Sequence, residues 1–194
     1  MAKLIGLNRI KTAVFISGTG SNLKNLINFS KTKKSPISID LIISNTIKAK
    51  GLKFANQYHI KKKIFNFKNI KTTEKKLFIL LKKNKIKFIC LAGFMKILSS
   101  KFIKQFNGKI INIHPSLLPR YKGLNTHSRA IQNKDKFSGC TVHYVEEKLD
   151  SGCKIVQKTF FIATKDNEKD LKTKTQRLEY KAFPEAVIKV FRYS

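Results

Sequence analysis

The chain has 194 residues, 42% of them hydrophobic, enough for one full core, so a single domain over 1–194 is expected. The formal net charge of +30 suggests a polyanion partner, yet only five of the 41 basic residues are arginine and the lysines are spread along the whole chain beside abundant Asn, Ile and Phe. That mixture reads as drift from AT-rich codons; specific nucleic-acid readers favour the arginine fork, and no apolar run is long enough to span a bilayer, so neither partner is expected.

Residues 1–11 read as a short basic lead-in, and Met1-Ala2-Lys3-Leu4-Ile5-Gly6 lacks the long apolar stretch of a signal peptide. The apolar run 13–16 predicts a first strand, followed by a Gly-rich turn and a helix over 22–33. A second strand over 39–43, a helix over 49–58 and a short strand over 63–65 follow. Leucines at 77, 80 and 81 predict a helix over 74–84. Further strands are expected at 88–92 and 110–114, then late, antiparallel strands at 141–145 and 154–161. A closing helix over 168–191 carries Pro184 as a candidate bend. Strands alternating with helices of this length predict an α/β fold, a doubly wound and mostly parallel sheet covered on both faces.

Three cysteines, Cys90, Cys140 and Cys153, form no C-x-x-C pair and no even framework, and are read as reduced thiols in a cytosol. No Cys, His and carboxylate cluster has metal-ligand spacing, so no metal is expected. Two segments carry chemistry. Ser17-Gly18-Thr19-Gly20-Ser21-Asn22 lies between a strand and a helix, where glycines let the backbone approach a ligand and the helix amides attract an anion. In Ile110-Ile111-Asn112-Ile113-His114-Pro115, the Asn and His sit two apart in an apolar strand that stops at a proline. Side chains two apart in a strand share a face, so an amide and an imidazole project together at the strand's carboxyl end. Open α/β sheets build their ligand crevices there. The long Pro- and Gly-punctuated segment 115–127 wraps beside them.

The string from Ile111 to Pro119 resembles the signature of the folate-dependent formyltransferase family. Ile16 to Leu23 resembles its phosphate loop. Leu91-Ala92-Gly93-Phe94-Met95, Gly139-Cys140-Thr141-Val142-His143 and Leu149-Asp150-Ser151-Gly152 match further segments, all in family order. The resemblance implies a Rossmann-like formyltransferase fold. It also implies formyl transfer from 10-formyltetrahydrofolate, as co-substrate, to the amine of 5-phosphoribosylglycinamide in purine biosynthesis. It assigns catalysis to Asn112, His114 and Asp150. The amide and a protonated imidazole would receive the oxyanion, His114 would relay protons, and Asp150 would raise the imidazole's pKa. By the same resemblance Gly20, Ser21, Asn22 and Glu179 bind the phosphoribosylglycinamide, and Met95, Lys96, Ile97, Leu98 and Asn112 bind the folate.

His127 and His143 either line the site or are structural, and both stay outside the catalytic set. The chain departs from the family pattern at Lys96, where an Arg is frequent, and at Asn125, where a His is frequent. It also departs near Ile70, where family members carry an Arg that contacts the folate; Lys68 and Lys71 are the charges nearby. The family branch that formylates methionyl-tRNA carries an extra C-terminal domain, and the branch that hydrolyses the folate carries an N-terminal one. A basic nucleic-acid-binding module is the reading from another class. The expected partners are small molecules alone, without specific nucleic acid or membrane, for a cytoplasmic monomer or homodimer.

Overall fold

The computed structural model describes residues 9–192. Seven strands form one sheet: β1 (Ile10–Ile16), β2 (Ile37–Ser44), β3 (Lys61–Ile64), β4 (Phe88–Leu91), β5 (Lys109–His114), β6 (Phe137–Tyr144) and β7 (Lys154–Phe161). Their order is β3-β2-β1-β4-β5-β6-β7, with β6 and β7 antiparallel to their neighbours and the remaining pairs parallel. The chain fills one side of β1 through β2 and β3, then crosses to build β4 and β5 on the other. The crevice of a doubly wound sheet opens at that reversal, beyond the carboxyl ends of β1 and β4.

Among the described residues six helices flank the sheet: α1 (Ser21–Ser30), α2 (Leu52–Gln57), α3 (Ile70–Lys83), α4 (Ser100–Gln105), α5 (Thr126–Gln132) and α6 (Glu168–Arg192). Strand alternation sorts the core into two layers. Val14 and Ile16 join Leu23 and Leu26 of α1, Phe54 of α2 and Phe183 and Val187 of α6. Ala13 and Phe15 face Leu77 and Leu81 of α3 and Phe102 of α4.

Several boundaries differ from the sequence reading, each for a local reason. β1 starts at Ile10, because Ile10 and Lys11 already pair with Ile37 and Ser38 of β2. The expected lead-in therefore loses its last two residues to the sheet, and residues 1–8 lie outside the described residues. α3 starts at Ile70, four residues early, because the Asn69 side chain accepts from the Thr72 amide and caps the helix. α4 was absent from the expected elements; at six residues it has too little periodicity to read, although Ser99 caps it by accepting from the Phe102 amide.

α6 runs through Pro184 as one helix. Proline at that position removes the amide that would bond the Tyr180 carbonyl. Asn25 of α1 supplies the missing donor, its Nδ2 giving to Tyr180 O at 2.9 Å. The proline thus becomes a joint between α1 and α6. Removing the donor in Asn25→Ala is expected to cost about 1 kcal/mol in urea unfolding, the loss of a hydrogen bond to a part-buried carbonyl. In a Pro184→Ala background, where residue 184 regains its amide, the same substitution is expected to cost clearly less. Equal costs in both backgrounds would contradict the joint.

Candidate active site

The Gly-rich turn leaves β1 and enters α1 through Gly20, whose backbone is left-handed at φ 76°. A Cβ on Gly20 would lie 2.6 Å from the Gly51 Cα, so the turn rests backbone to backbone on the start of α2. No side chain caps α1, whose N-terminal end carries the positive pole of the helix dipole. From behind, α6 holds this turn: Gln176 Nε2 donates to Ser21 Oγ at 3.0 Å, and Asn22 Nδ2 donates to Glu179 Oε2 at 2.8 Å. Glu179 is only 9% exposed, and burial pushes its carboxyl above the usual range, against the Asn22 hydrogen bond. It is therefore no ordinary surface charge. Asn22 Oδ1 is buried without a partner among the described residues.

The other wall is the segment after β4. Ser17, at the end of β1, joins it to the Gly-rich turn. Its amide donates to Gly93 O at 3.1 Å, its Oγ accepts from the Met95 amide at 2.7 Å, and the same Oγ donates to Asn45 Oδ1 beyond β2. Glu74 of α3 anchors the far end, accepting from the Ser99 amide at 2.7 Å and from Ser99 Oγ. Between these anchors the four expected folate residues divide. Met95 and Ile97 are each 63% exposed and Lys96 is exposed, whereas Leu98 packs into the α3–α4 core. Ile70 opens α3 and is exposed. Ser17 stood in the Gly-rich segment without a role of its own and Glu74 was read only as the start of a helix, for both look ordinary until their partners are known.

Between the walls lies the carboxyl end of β5. Ile111 and Ile113 sink into one core and Ile110 into the other, so Asn112 and His114 share the Ile110 face. Pro115 then turns the chain out. Asp150 arrives from the turn after β6, in a left-handed conformation at φ 47°. The three groups meet: His114 Nδ1 is 3.3 Å from Asp150 Oδ2, and Asn112 Nδ2 is 3.5 Å from Asp150 Oδ1.

A fourth group belongs with them. His143 Nε2 lies 3.2 Å from Asn112 Nδ2 and 3.6 Å from Asp150 Oδ1. Of the two readings open for His143, the structure places it in the group. Its position follows from register, since β6 pairs antiparallel with β5 and sets His143 opposite Asn112. An alternating His beside the N-x-H strand was the signal in the sequence. His127 stays outside: its ring contacts Thr126 Oγ1, and the charges acting on it are Glu168 and Lys172. Among the described residues no group of three or more His, Cys, Asp or Glu is arranged to hold a metal ion.

Hydrogen-bond polarity assigns the protons. His143 Nδ1 donates to Tyr144 O at 2.8 Å, so in the neutral ring Nε2 accepts from Asn112. His114 Nε2 donates to Tyr121 O at 2.8 Å, which leaves Nδ1 facing Asp150. Asp150 is held below its usual range: burial pushes its carboxyl up, but the Gly123 amide, and the His143 and His114 rings when protonated, outweigh it, and it is an anion. Burial lowers the His114 pKa; the Tyr121 carbonyl and, as expected, Asp150 raise it but are outweighed, while His143 and Arg129 push the same way as burial. The ring is therefore neutral near pH 7 and can take a proton on Nδ1, beside a carboxylate that stabilises the charge.

The family model described as formyl transferase matches residues 10–187. A phosphoribosylglycinamide formyltransferase of Haemophilus influenzae is 41% identical over 93% of this chain and 86% of its own length. The human trifunctional purine biosynthetic protein adenosine-3 is 39% identical over 92% of this chain. Of the trifunctional proteins it matches, however, the chain spans only 18% of the human and chicken and 14% of the Drosophila melanogaster length. Among solved structures, the phosphoribosylglycinamide formyltransferase of Brucella melitensis superposes with a TM-score of 0.89 at 35% identity, covering 94% of this chain and 96% of that one.

Nuclear magnetic resonance titration is expected to show His114 gaining its proton below the ordinary imidazole range. In Asp150→Asn, which loses a carboxylate that favours the imidazolium, the midpoint moves lower still. Because the unfolded chain takes up this proton first, stability falls as pH drops from the ordinary histidine pKa towards the depressed one. A His114 midpoint above the ordinary range would contradict this charge assignment.

Proposed function

The chain belongs to the formyl transferase family, and we propose that it transfers the formyl group of 10-formyltetrahydrofolate to the amine of 5-phosphoribosylglycinamide, a step of purine biosynthesis. One observation carries the reading furthest. Asn112, His114 and Asp150 converge at the carboxyl end of β5, on the sheet edge that also carries an uncapped helix N-terminus. An acyl-transfer centre beside an anion site suits an acceptor with both an amine and a phosphate.

The acceptor phosphate sits at the amides of Gly20, Ser21 and Asn22, steered by helix dipole and net positive charge. Glu179, behind Asn22, serves the rest of the acceptor. The exposed apolar side chains of Met95 and Ile97 cover the folate ring, with Lys96 beside them, while Leu98 shapes the segment from within. The amine attacks the formyl carbon, and negative charge develops on the formyl oxygen. Asn112 donates to that oxygen. The nitrogen of the attacking amine sheds a proton to the neutral His114 ring, and the imidazolium formed is stabilised by Asp150. The carbon–nitrogen bond to the folate then breaks, with the proton returned to the leaving nitrogen. The residues supply all of this without a metal ion. The chain works as one domain on small molecules in the cytoplasm, as a monomer or homodimer, and has no specific nucleic-acid partner. No helix among the described residues is long and apolar enough to cross a membrane.

Purified protein is to be assayed for formyl transfer to phosphoribosylglycinamide, with initiator methionyl-tRNA and water as competing acceptors. Transfer to the ribonucleotide alone is the expected result, and preference for tRNA or water overturns it. His114→Ala and Asp150→Asn are each expected to lower turnover by about 10²-fold or more. Asn112→Ala, as loss of an oxyanion donor, is expected to cost on the order of 10²–10³. Near-normal turnover in any of them removes that residue from the mechanism.

A further inference from the structure

Residues 121–123 lie across the site, and the two outer ones each turn a backbone group towards a titratable side chain. The Tyr121 carbonyl accepts from His114 Nε2 at 2.8 Å, and the Gly123 amide donates to Asp150 Oδ2 at 2.8 Å. Two backbone groups of opposite polarity, two residues apart, thus hold the base and the carboxylate facing it. The arrangement needs Tyr121 at φ 55° and Gly123 at φ 78°. Glycine adopts such a conformation freely. For a tyrosine it costs about 1 kcal/mol or more and persists only where the surroundings impose it.

What imposes it is the tyrosine side chain. Its hydroxyl donates to Asp135 Oδ2 at 2.7 Å and accepts from Asn133 Nδ2 at 3.1 Å. The Arg129 guanidinium lies 4.9 Å from the ring centroid, while its Nη1 donates to Lys122 O at 2.8 Å. Arg120 also approaches the ring and pairs with Asp135 Oδ1 at 3.0 Å. The Asp135 side chain is only 6% exposed and bonds two residues of this strap, Arg120 and Tyr121. None of these groups was singled out by the sequence motifs.

Resting on the proton-transfer role proposed for His114 and Asp150, we propose that Tyr121, Arg129 and Asp135 form a positioning unit that sets the tautomer of His114 and the orientation of Asp150 through residues 121–123. Tyr121 meets His114 through its carbonyl, and Asp135 acts through Tyr121. The carbonyl fixes the Nε2–H form of the neutral ring and so keeps the Nδ1 lone pair on the side of Asp150. Asp150, His143 and Arg129 are the titratable or charged groups acting on that ring.

The test uses Tyr121→Phe and Asp135→Asn in the full chain, read in two ways. Kinetics over pH are expected to show kcat reduced about 10- to 100-fold with KM changed less than about twofold, the pattern of a misplaced catalytic group. The acid limb is expected to move to lower pH, because a carbonyl that favours the protonated ring has lost its register. Ring nitrogen spectra, simplified by there being only four histidines, are expected to show His114 losing its single Nε2–H tautomer. A fall in kcat with the acid limb and tautomer unchanged would mean that the strap is merely structural, and would overturn the proposal. So would unchanged kinetics. If the unaltered protein transfers no formyl group, the proposed activity fails while the ring spectra still decide the tautomer. Should Asp135→Asn not fold, Tyr121→Phe retains the ring between its arginines and carries the test.

Discussion

A buried carboxylate surrounded by two imidazoles, an amide side chain and a backbone amide is the constraint on which the site rests. Asp150 is 9% exposed, and an anion that far from water persists only when its oxygens are met by donors or positive charge. The Gly123 amide meets Oδ2 and the Asn112 amide meets Oδ1, while His114 and His143 stand beside them, ready to add charge when protonated. The same shortage of water that makes Asp150 dependent on its neighbours lowers the proton affinity of His114. The two effects oppose each other at one nitrogen, Nδ1. The result is a ring that is neutral at rest and becomes charged only beside its counter-ion, which is the condition a general base needs.

Everything else in the fold serves to bring that nitrogen to a place where two ligands can meet. The strand order reverses at β1, so the Gly-rich turn and the segment after β4 become neighbours, and Ser17 bonds to both sides of the gap. α6 reaches back from the end of the chain to set Glu179 and Gln176 behind the turn. The Pro184 position, which costs α6 one of its own hydrogen bonds, provides the carbonyl that Asn25 uses to fasten it there. Antiparallel β6 then adds what a wholly parallel sheet would lack, a His pointing back across the end of β5.

Much of this was legible from local rules. Asn112 and His114 were readable because strand periodicity and a terminating proline are properties of a few consecutive residues. The Gly-rich turn was readable for the same reason. The closing helix was readable from its length, and the parallel sheet from the alternation of elements. What the sequence did not disclose depends on partners far away along the chain. Ser17 finds Asn45 and Met95, Glu74 finds Ser99, and Asn22 finds Glu179 across 157 residues. His143 was left open between two readings because its place comes from inter-strand register, which no single segment specifies. The net direction of the His114 shift stayed hidden for a different reason. The attraction of an acid is visible in a motif, whereas the loss of water around a ring is visible only once the chain has closed over it.

The most direct measurement is a crystal structure with phosphoribosylglycinamide and an unreactive analogue of 10-formyltetrahydrofolate bound together. The account requires the phosphate at the amides of Gly20 to Asn22 and the folate ring against Met95 and Ile97. The oxygen corresponding to the formyl group must lie within hydrogen-bond reach of Asn112 Nδ2, and the acceptor amine must lie next to His114. Ligands bound elsewhere, or a reacting carbon held away from the end of β5, would contradict it.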